Sequence, residues 1–264
     1  MAVPTSDLPL SGAVALITGG SRGIGRATAT ALTNVGARVV ELSRSGSAIV
    51  TERGSWIDHV ACDVGDRNSI HEAVAHVLEV YSHIDVLINN AGIRGERARL
   101  WELDPEDFER ALSINLMGPF LTMRDVIPSM IDRRSGVIIN VTSGAAERPR
   151  PRRSMYGTSK AALDHLTLSL ATEVAEFGIR VHAFHPGPVN TALFNASAQD
   201  PKNTPEELAA VEARFRAGEV QRPEEPGAAL AWLATPSGAL HTDTVVAWSN
   251  PKRRAEIRTM AGLE

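Results

Sequence analysis

Ala13-Val14-Ala15-Leu16-Ile17-Thr18-Gly19-Gly20-Ser21-Arg22-Gly23-Ile24-Gly25 joins a short apolar run to a turn that holds four glycines. Ala13–Ile17 reads as a buried strand, and helical spacing begins near Gly23. Glycine at such a junction lets the backbone turn tightly and approach a bound group. The free amides and dipole of the following helix then favour a phosphate charge. An ordinary strand–helix connection can look the same, so the rest of the chain must decide.

Working outward, β-branched apolar runs recur at Arg38–Leu42, Trp56–Cys62, Ile84–Asn89, Gly136–Val141, Ile179–His185 and Thr244–Trp248, with helix-patterned stretches between them. That alternation is the signature of βαβ units. Asp66 and Asp104-Pro105 read as helix starts, and Thr204-Pro205-Glu206-Glu207 as a capping box opening a short helix towards Ala217. The 264 residues fit one domain spanning 1–264. The fold expected is α/β: a Rossmann-type, doubly wound, mostly parallel seven-stranded sheet flanked by helices.

Composition narrows the function classes. Hydrophobic residues at 43% and charged residues at 22% are ordinary for a soluble globular protein. A formal net charge of −4 gives no basic excess for a phosphate backbone, so no nucleic-acid partner is expected. No apolar run approaches membrane-spanning length. Cys62 is the single cysteine, which excludes an intrachain disulfide. The eight histidines form no metal-like cluster, and no metal site is expected. Met1–Gly12 lacks the basic-then-apolar order of a secretory signal, so the expectation is a cytoplasmic protein.

Asn89-Asn90-Ala91-Gly92 ends the fourth expected strand, which in a doubly wound sheet flanks the first where the strand order reverses. Two motifs thus meet at one crevice. Together, Thr18-Gly-x-x-x-Gly23-x-Gly25 and Asn89-Asn90-Ala91-Gly92 resemble the short-chain dehydrogenase/reductase family, in its compact single-domain branch. The resemblance covers about residues 10 to 250. It implies a nicotinamide cofactor lined by Gly19, Ser21, Arg22, Ile24, Ser43, Arg44, Asp63, Val64, Asn90, Tyr156, Lys160, Pro186, Gly187, Val189 and Thr191. Within that set Asp63 would contact the adenine, and Thr191 the carboxamide.

Family members that use NAD usually place an acidic residue at the end of strand two, and the matching position here is Ser43, followed by Arg44. Serine leaves room for a 2′-phosphate, and a guanidinium can pair with it in a bidentate way. Arg22 matches a second basic position. The expected cofactor is therefore NADP(H), ahead of NAD(H). Glu41 opposes it, lying two residues before Ser43 and hence on the same strand face.

Tyr156 and Lys160 stand at i and i+4, so both emerge on one helix face. Only three of the 27 basic residues are lysines, so Lys at 160 stands out in a chain that otherwise favours Arg. A free phenol has a pKa of about 10, too high for efficient proton exchange near neutrality, and adjacent positive charge lowers it. Carbonyl–alcohol interconversion is what the pair suggests. Ser143 would donate to the substrate oxygen. By resemblance Asn115 completes a tetrad with Ser143, Tyr156 and Lys160, positioning a water that links Lys160 to solvent. Read alone, Asn115 is a helix-interior residue bonded to backbone.

Substrate identity belongs to the loops, which the resemblance does not reach. Arg94, Arg97 and Arg99 follow one motif, while Arg148, Arg150, Arg152 and Arg153 lie between Ser143 and Tyr156. They read either as a solvated rim or as a site for an anionic substrate group or acidic carrier. Residues 192–217 are the expected substrate lid. Where many relatives read Val-Asp-Gly-Gly, this chain has Ala247-Trp248-Ser249-Asn250, followed by a polar Pro251–Glu264 tail expected to be an addition to the fold. A homodimer or homotetramer is expected by resemblance. Redox-assisted epimerisation or dehydration, and a non-catalytic NADP sensor, remain alternative readings.

Overall fold

The computed structural model describes residues 8–50 and 56–263. The start of the Met1–Gly12 stretch and Glu264 lie outside that description. All seven expected strands form: β1 (Val14–Thr18), β2 (Arg38–Ser43), β4 (Trp56–Ala61), β5 (Val86–Asn89), β6 (Gly136–Val141), β7 (Ile179–Phe184) and β8 (Val245–Val246). They pair in parallel in the order β4-β2-β1-β5-β6-β7-β8. A two-residue strand, β3 (Ile49–Val50), adds antiparallel to β4 at the outer edge.

Strands β1 and β5 are neighbours, and from them the sheet is wound outward in both directions. The crevice above their carboxyl ends is therefore the switch point at which doubly wound sheets bind ligands. Both strands are buried along their whole length, as a sheet covered by helices on each face requires. One core layer unites Ile17, Leu32, Ile88, Phe184 and Trp248, and the other unites Leu16, Val74, Leu87, Val126 and Val181.

Helix α1 (Gly23–Asn34) buries Gly25, Thr28, Ala29 and Leu32, a stripe at helical spacing. Thr28 satisfies its hydroxyl on Ile24 O at 2.8 Å. Across from it runs α8 (Glu224–Ala234). A Cβ on Gly227 would lie 2.9 Å from the Ala27 carbonyl carbon, so glycine sets that close crossing. Helices α2 (Arg67–Tyr81), α3 (Pro105–Leu112), α4 (Gly118–Arg133) and α5 (Ser154–Val174) follow. Asp66 and Asp104 cap α2 and α3 as their sequence predicts.

Two local expectations are corrected. The strand expected over Thr244–Trp248 pairs only at Val245–Val246, because Trp248 N turns back onto Val246 O at 2.9 Å. The tail is not an appendage. Asn250 caps α9 (Pro251–Ala261), whose Ile257 is buried in the core beneath α8. No helix among the described residues is long and apolar enough to cross a membrane.

Candidate active site

The Gly-rich turn is tied to the neighbouring strand end by side chains. Thr18 Oγ1 accepts from the amides of Asn90 (3.0 Å) and Ala91 (3.1 Å), while Asn90 Nδ2 donates to Thr18 O and Gly19 O, both at 3.0 Å. Gly19 has a φ of +68°, and a Cβ on Gly25 would fall 2.1 Å from Gly19 O. Glycine is obligatory at both positions. The turn thereby keeps an open backbone surface at the start of α1, with Ser21 and Ile24 half-buried beside it. This cradle of free amides at a helix N-terminus suits a pyrophosphate.

At the end of β2, Arg44 is exposed, as is Arg22 across the turn. Glu41 is fully buried, its Oε1 2.7 Å from His59 Nδ1 and accepting from Ser43 Oγ at 3.3 Å. Oε1 is thus held by Ser43 on its own strand and by His59 on the neighbouring one, while Oε2 is buried without a hydrogen-bond partner. Asp63 is exposed and closes its own turn, accepting from Gly65 N at 2.9 Å. Val64 packs against the core on the α2 face.

Tyr156 and Lys160 occupy the first turns of α5, where Lys160 is buried and donates from Nζ to Val141 O at 2.9 Å. Burial pulls the Lys160 ammonium below the usual lysine value, with Tyr156 and Asp164 opposing that pull. Asn115 lies in a π-helical turn, Ser113–Met117, inserted between α3 and α4. Such turns interrupt the regular ladder and often mark functional positions. Its Oδ1 accepts from Ile93 N (2.9 Å), and its Nδ2 donates to Ile93 O (2.8 Å) and Ser159 Oγ (3.0 Å). Both side-chain donor positions are thus used within the protein. A Cβ on Gly92 would lie 3.1 Å from Asn115 Oδ1 and 3.6 Å from Lys160 Nζ, so both groups converge on one small space. Ser143 follows β6, and its Oγ accepts from Ala145 N at 3.1 Å.

The Pro186-Gly187-Pro188 turn closes the opposite wall. Gly187 has a φ of +78°. Gln221 Nε2 donates to Pro186 O at 3.0 Å, Gln221 N donates to Pro188 O at 3.0 Å, and Val189 bridges to Gln221. Trp248 Nε1 in turn donates to Gln221 Oε1 at 2.6 Å. Thr191 caps α6 (Ala192–Ala198) through Phe194 N, and its Cγ2 lies 3.2 Å from the Cβ position of Gly23. The turn after β7 therefore meets the turn after β1.

The expected lid consists of α6 and α7 (Pro205–Arg216), with Phe194 packed edge-on to Phe215 at 6.0 Å between ring centres. Arginines latch it to the cleft loops. Arg97 bonds Asn203 and Glu207, Arg152 bonds Glu207 Oε2 (2.8 Å) and Lys202 O (2.6 Å), and Arg153 bonds Ser197 Oγ (2.5 Å). Three of the seven loop arginines are thus tied into the structure, while Arg99, Arg148 and Arg150 are exposed.

Residues 13–202 match the family model described as short chain dehydrogenase. The chain belongs to the short-chain dehydrogenase/reductase family. Among its relatives, a 2-(R)-hydroxypropyl-CoM dehydrogenase from Xanthobacter autotrophicus is 37% identical over 207 residues, covering 75% of this chain and 83% of the relative. An NADPH-dependent pterin aldehyde reductase from Arabidopsis thaliana is 33% identical over 205 residues, covering 73% and 84%. The structure of an NAD+-bound xylitol dehydrogenase superposes with a TM-score of 0.76 at 27% identity, covering 89% of this chain and 96% of that one. As a short-chain dehydrogenase/reductase, the protein is an NAD(P)-dependent oxidoreductase acting on alcohol or carbonyl groups.

Within this short-chain dehydrogenase/reductase, three relationships escape the motifs. Gln221 and Trp248 brace the Pro-Gly turn. Glu207 receives two arginines. Asp164 holds the buried His185 at 2.9 Å, behind Lys160. In the sequence Trp248 stands out as a large aromatic within the Ala247–Asn250 stretch, where the resemblance leads one to expect Val-Asp-Gly-Gly.

Proposed function

We propose that the protein is an NADP(H)-dependent oxidoreductase interconverting a ketone or aldehyde and an alcohol, with Tyr156 as general acid/base. The observation that carries this reading is the convergence on one face of α5 of Tyr156 with a buried Lys160 anchored to Val141 O. When bound, the cofactor supplies or accepts hydride. Its phosphates would lie against Gly19, Ser21 and the start of α1, its 2′-phosphate beside Arg22, Ser43 and Arg44, and its nicotinamide near Pro186, Gly187, Val189 and Thr191.

The chain's own groups handle the proton. In the reducing direction Tyr156 Oη protonates the substrate oxygen, and in oxidation it accepts the proton back. Lys160 supplies the positive charge that stabilises the phenolate. Ser143 Oγ, anchored by Ala145 N, donates to the substrate oxygen as charge develops there. Asn115 holds the Ile93 backbone and, beside Lys160 Nζ, positions the route by which Lys160 exchanges its proton with water. NADP over NAD is supported by the two exposed arginines and by Glu41 being occupied with His59. A homo-oligomer is supported by apolar side chains exposed on two helices, Phe120 on α4 and Leu168 on α5.

The test is a screen of ketones, aldehydes and secondary alcohols by nicotinamide absorbance, followed by Tyr156→Phe. That variant is expected to bind NADP(H) normally and to lose kcat by roughly 100-fold to 10,000-fold. Turnover at the wild-type rate would remove Tyr156 from the mechanism.

A further inference from the structure

Of the seven arginines of the two cleft loops, Arg148 and Arg150 are exposed and the other five fall into two populations. Arg97 and Arg152 share Glu207, and Arg99 stacks over Trp101 at 5.5 Å. Arg94 and Arg153 have no carboxylate within ion-pair distance among the described residues. The Arg94 guanidinium lies over the Tyr156 ring, 5.7 Å from its centre, and its buried Nε has no hydrogen-bond partner. Arg153 spends one Nη2 bond on Ser197.

The Arg94 guanidinium acts on that of Arg153. Burial, and then the positive charges of Arg94 and Arg97, push Arg153 down to about 10, against the opposing pull of Asp200 and Glu207. Burial also lowers Arg94. Half-buried cations with unused donors are costly unless a counter-charge arrives. The chain brings carboxylates to Arg97 and Arg152 in these same two loops, and none within ion-pair distance of Arg94 and Arg153 among the described residues. An open cavity of about 1010 Å³ adjoins the same two loops, lined by Arg97, Arg150, Arg152 and Ser154 but by neither Arg94 nor Arg153.

We propose that Arg94 and Arg153 form a subsite for an anionic group, a carboxylate or a phosphate, carried by the carbonyl or alcohol substrate itself. The planar guanidinium fork matches both groups in bidentate fashion. Because Arg94 lies on the ring of Tyr156, an anion bound there is separated by only a few atoms from a carbonyl at the phenol oxygen. That places it on a small keto acid or a phosphorylated ketone rather than at a distance along a long acyl chain. The inference rests on the function proposed above.

The experiment compares matched ketones that are neutral, carboxylated or phosphorylated, using the NADPH-loaded protein and its Arg94→Gln and Arg153→Gln variants. Wild type is expected to prefer one anionic series, which identifies the group. Each variant is expected to lower the anionic-to-neutral ratio of kcat/KM by about tenfold to hundredfold, mainly through KM. A ratio unchanged by either substitution, or a wild-type enzyme without anionic preference, overturns the proposal. So does turnover of a ketone only when it is borne on an acidic carrier protein.

A second measurement needs no turnover. Calorimetric titration of the NADP-loaded chain with succinate and with inorganic phosphate is expected to show binding that the double variant loses. If no carbonyl compound is turned over but this binding is seen, the proposed function fails and the anion site stands. No binding in wild type up to about 10 mM, where even a weak site is occupied, overturns the anion site alone.

Discussion

Trp248 Nε1 donates to Gln221 Oε1 at 2.6 Å, and Gln221 passes the constraint to Pro186 O at 3.0 Å. All three residues are buried. The side-chain amide thus uses its acceptor on an indole of the core and a donor on the Pro186 turn. Gln221→Leu leaves the indole N–H and a turn carbonyl unpaired in the interior, which costs about 1–3 kcal/mol. The expected result is a lower Tm together with several-fold weaker NADP(H) binding, read by thermal denaturation and fluorescence titration. Trp248→Phe should reproduce the cofactor effect, and the double variant should show less than the sum of the two. Full additivity would remove the brace.

The other end of the cofactor site gives a sharper contrast. Ser43→Asp combined with Arg44→Ala replaces a donor and a cation with a carboxylate where the 2′-phosphate is proposed to lie. Steady-state kinetics with both cofactors should show the NADP-to-NAD preference shifting by roughly tenfold to hundredfold towards NAD. Glu41→Gln should leave that preference in place, because Glu41 Oε1 is engaged by His59 and Ser43. A preference that moves with Glu41 and not with Ser43 and Arg44 would relocate the discriminating group.

What could be read from the sequence follows from the range of each interaction. The Gly19–Gly25 turn and the capping residues Asp66, Asp104 and Thr204 act within a few residues, so they carry local signatures. Tyr156 and Lys160 are related by helix periodicity alone. By contrast, Gln221 and Trp248 are 27 residues apart, and neither belongs to a repeating pattern. Helix α9 was obscured because it is polar almost throughout, with Ile257 as its buried contact. Its start is a local cap, with Asn250 accepting from Lys252 N and Arg253 N and Pro251 in the first turn. The π-helical turn at Asn115 is set by its bonds to Ile93 and Ser159, which no pattern within Ser113–Met117 reveals.

Glu207 is the residue through which helix α7 is tied to the two cleft loops. It accepts from Arg97 and Arg152, and it also closes the capping box of α7 through Thr204 N at 2.9 Å. Arg97 is only 5% exposed, so removing the Glu207 charge leaves this buried cation with Asn203 and with Asp200 at 3.9 Å. Glu207→Gln retains the cap and loses the charge, at about 2 kcal/mol for charge-assisted bonds in a half-exposed setting. Hydrogen exchange should speed up across residues 192–217, and substrate KM should rise more than kcat falls. Unchanged exchange there would mean that the apolar contact of Phe194 with Phe215 holds the lid alone.

Acid stability depends on a histidine away from the cleft. His182 is 4% exposed in β7, and burial pushes it down to about 4, with a backbone bond to Asp243 opposing and Arg180 and His241 adding to the fall. An unfolded histidine titrates near 6.5. Between these two values the unfolded chain binds a proton that the folded chain refuses, so stability rises with pH through that window and is lost as pH falls from about 6.5 towards 4. The full contribution is on the order of 3 kcal/mol. His182→Gln removes the titration, so urea midpoints measured from pH 7 to pH 4 should fall less steeply than in wild type. Equal slopes would assign the acid sensitivity to other groups, such as His241, which burial also lowers.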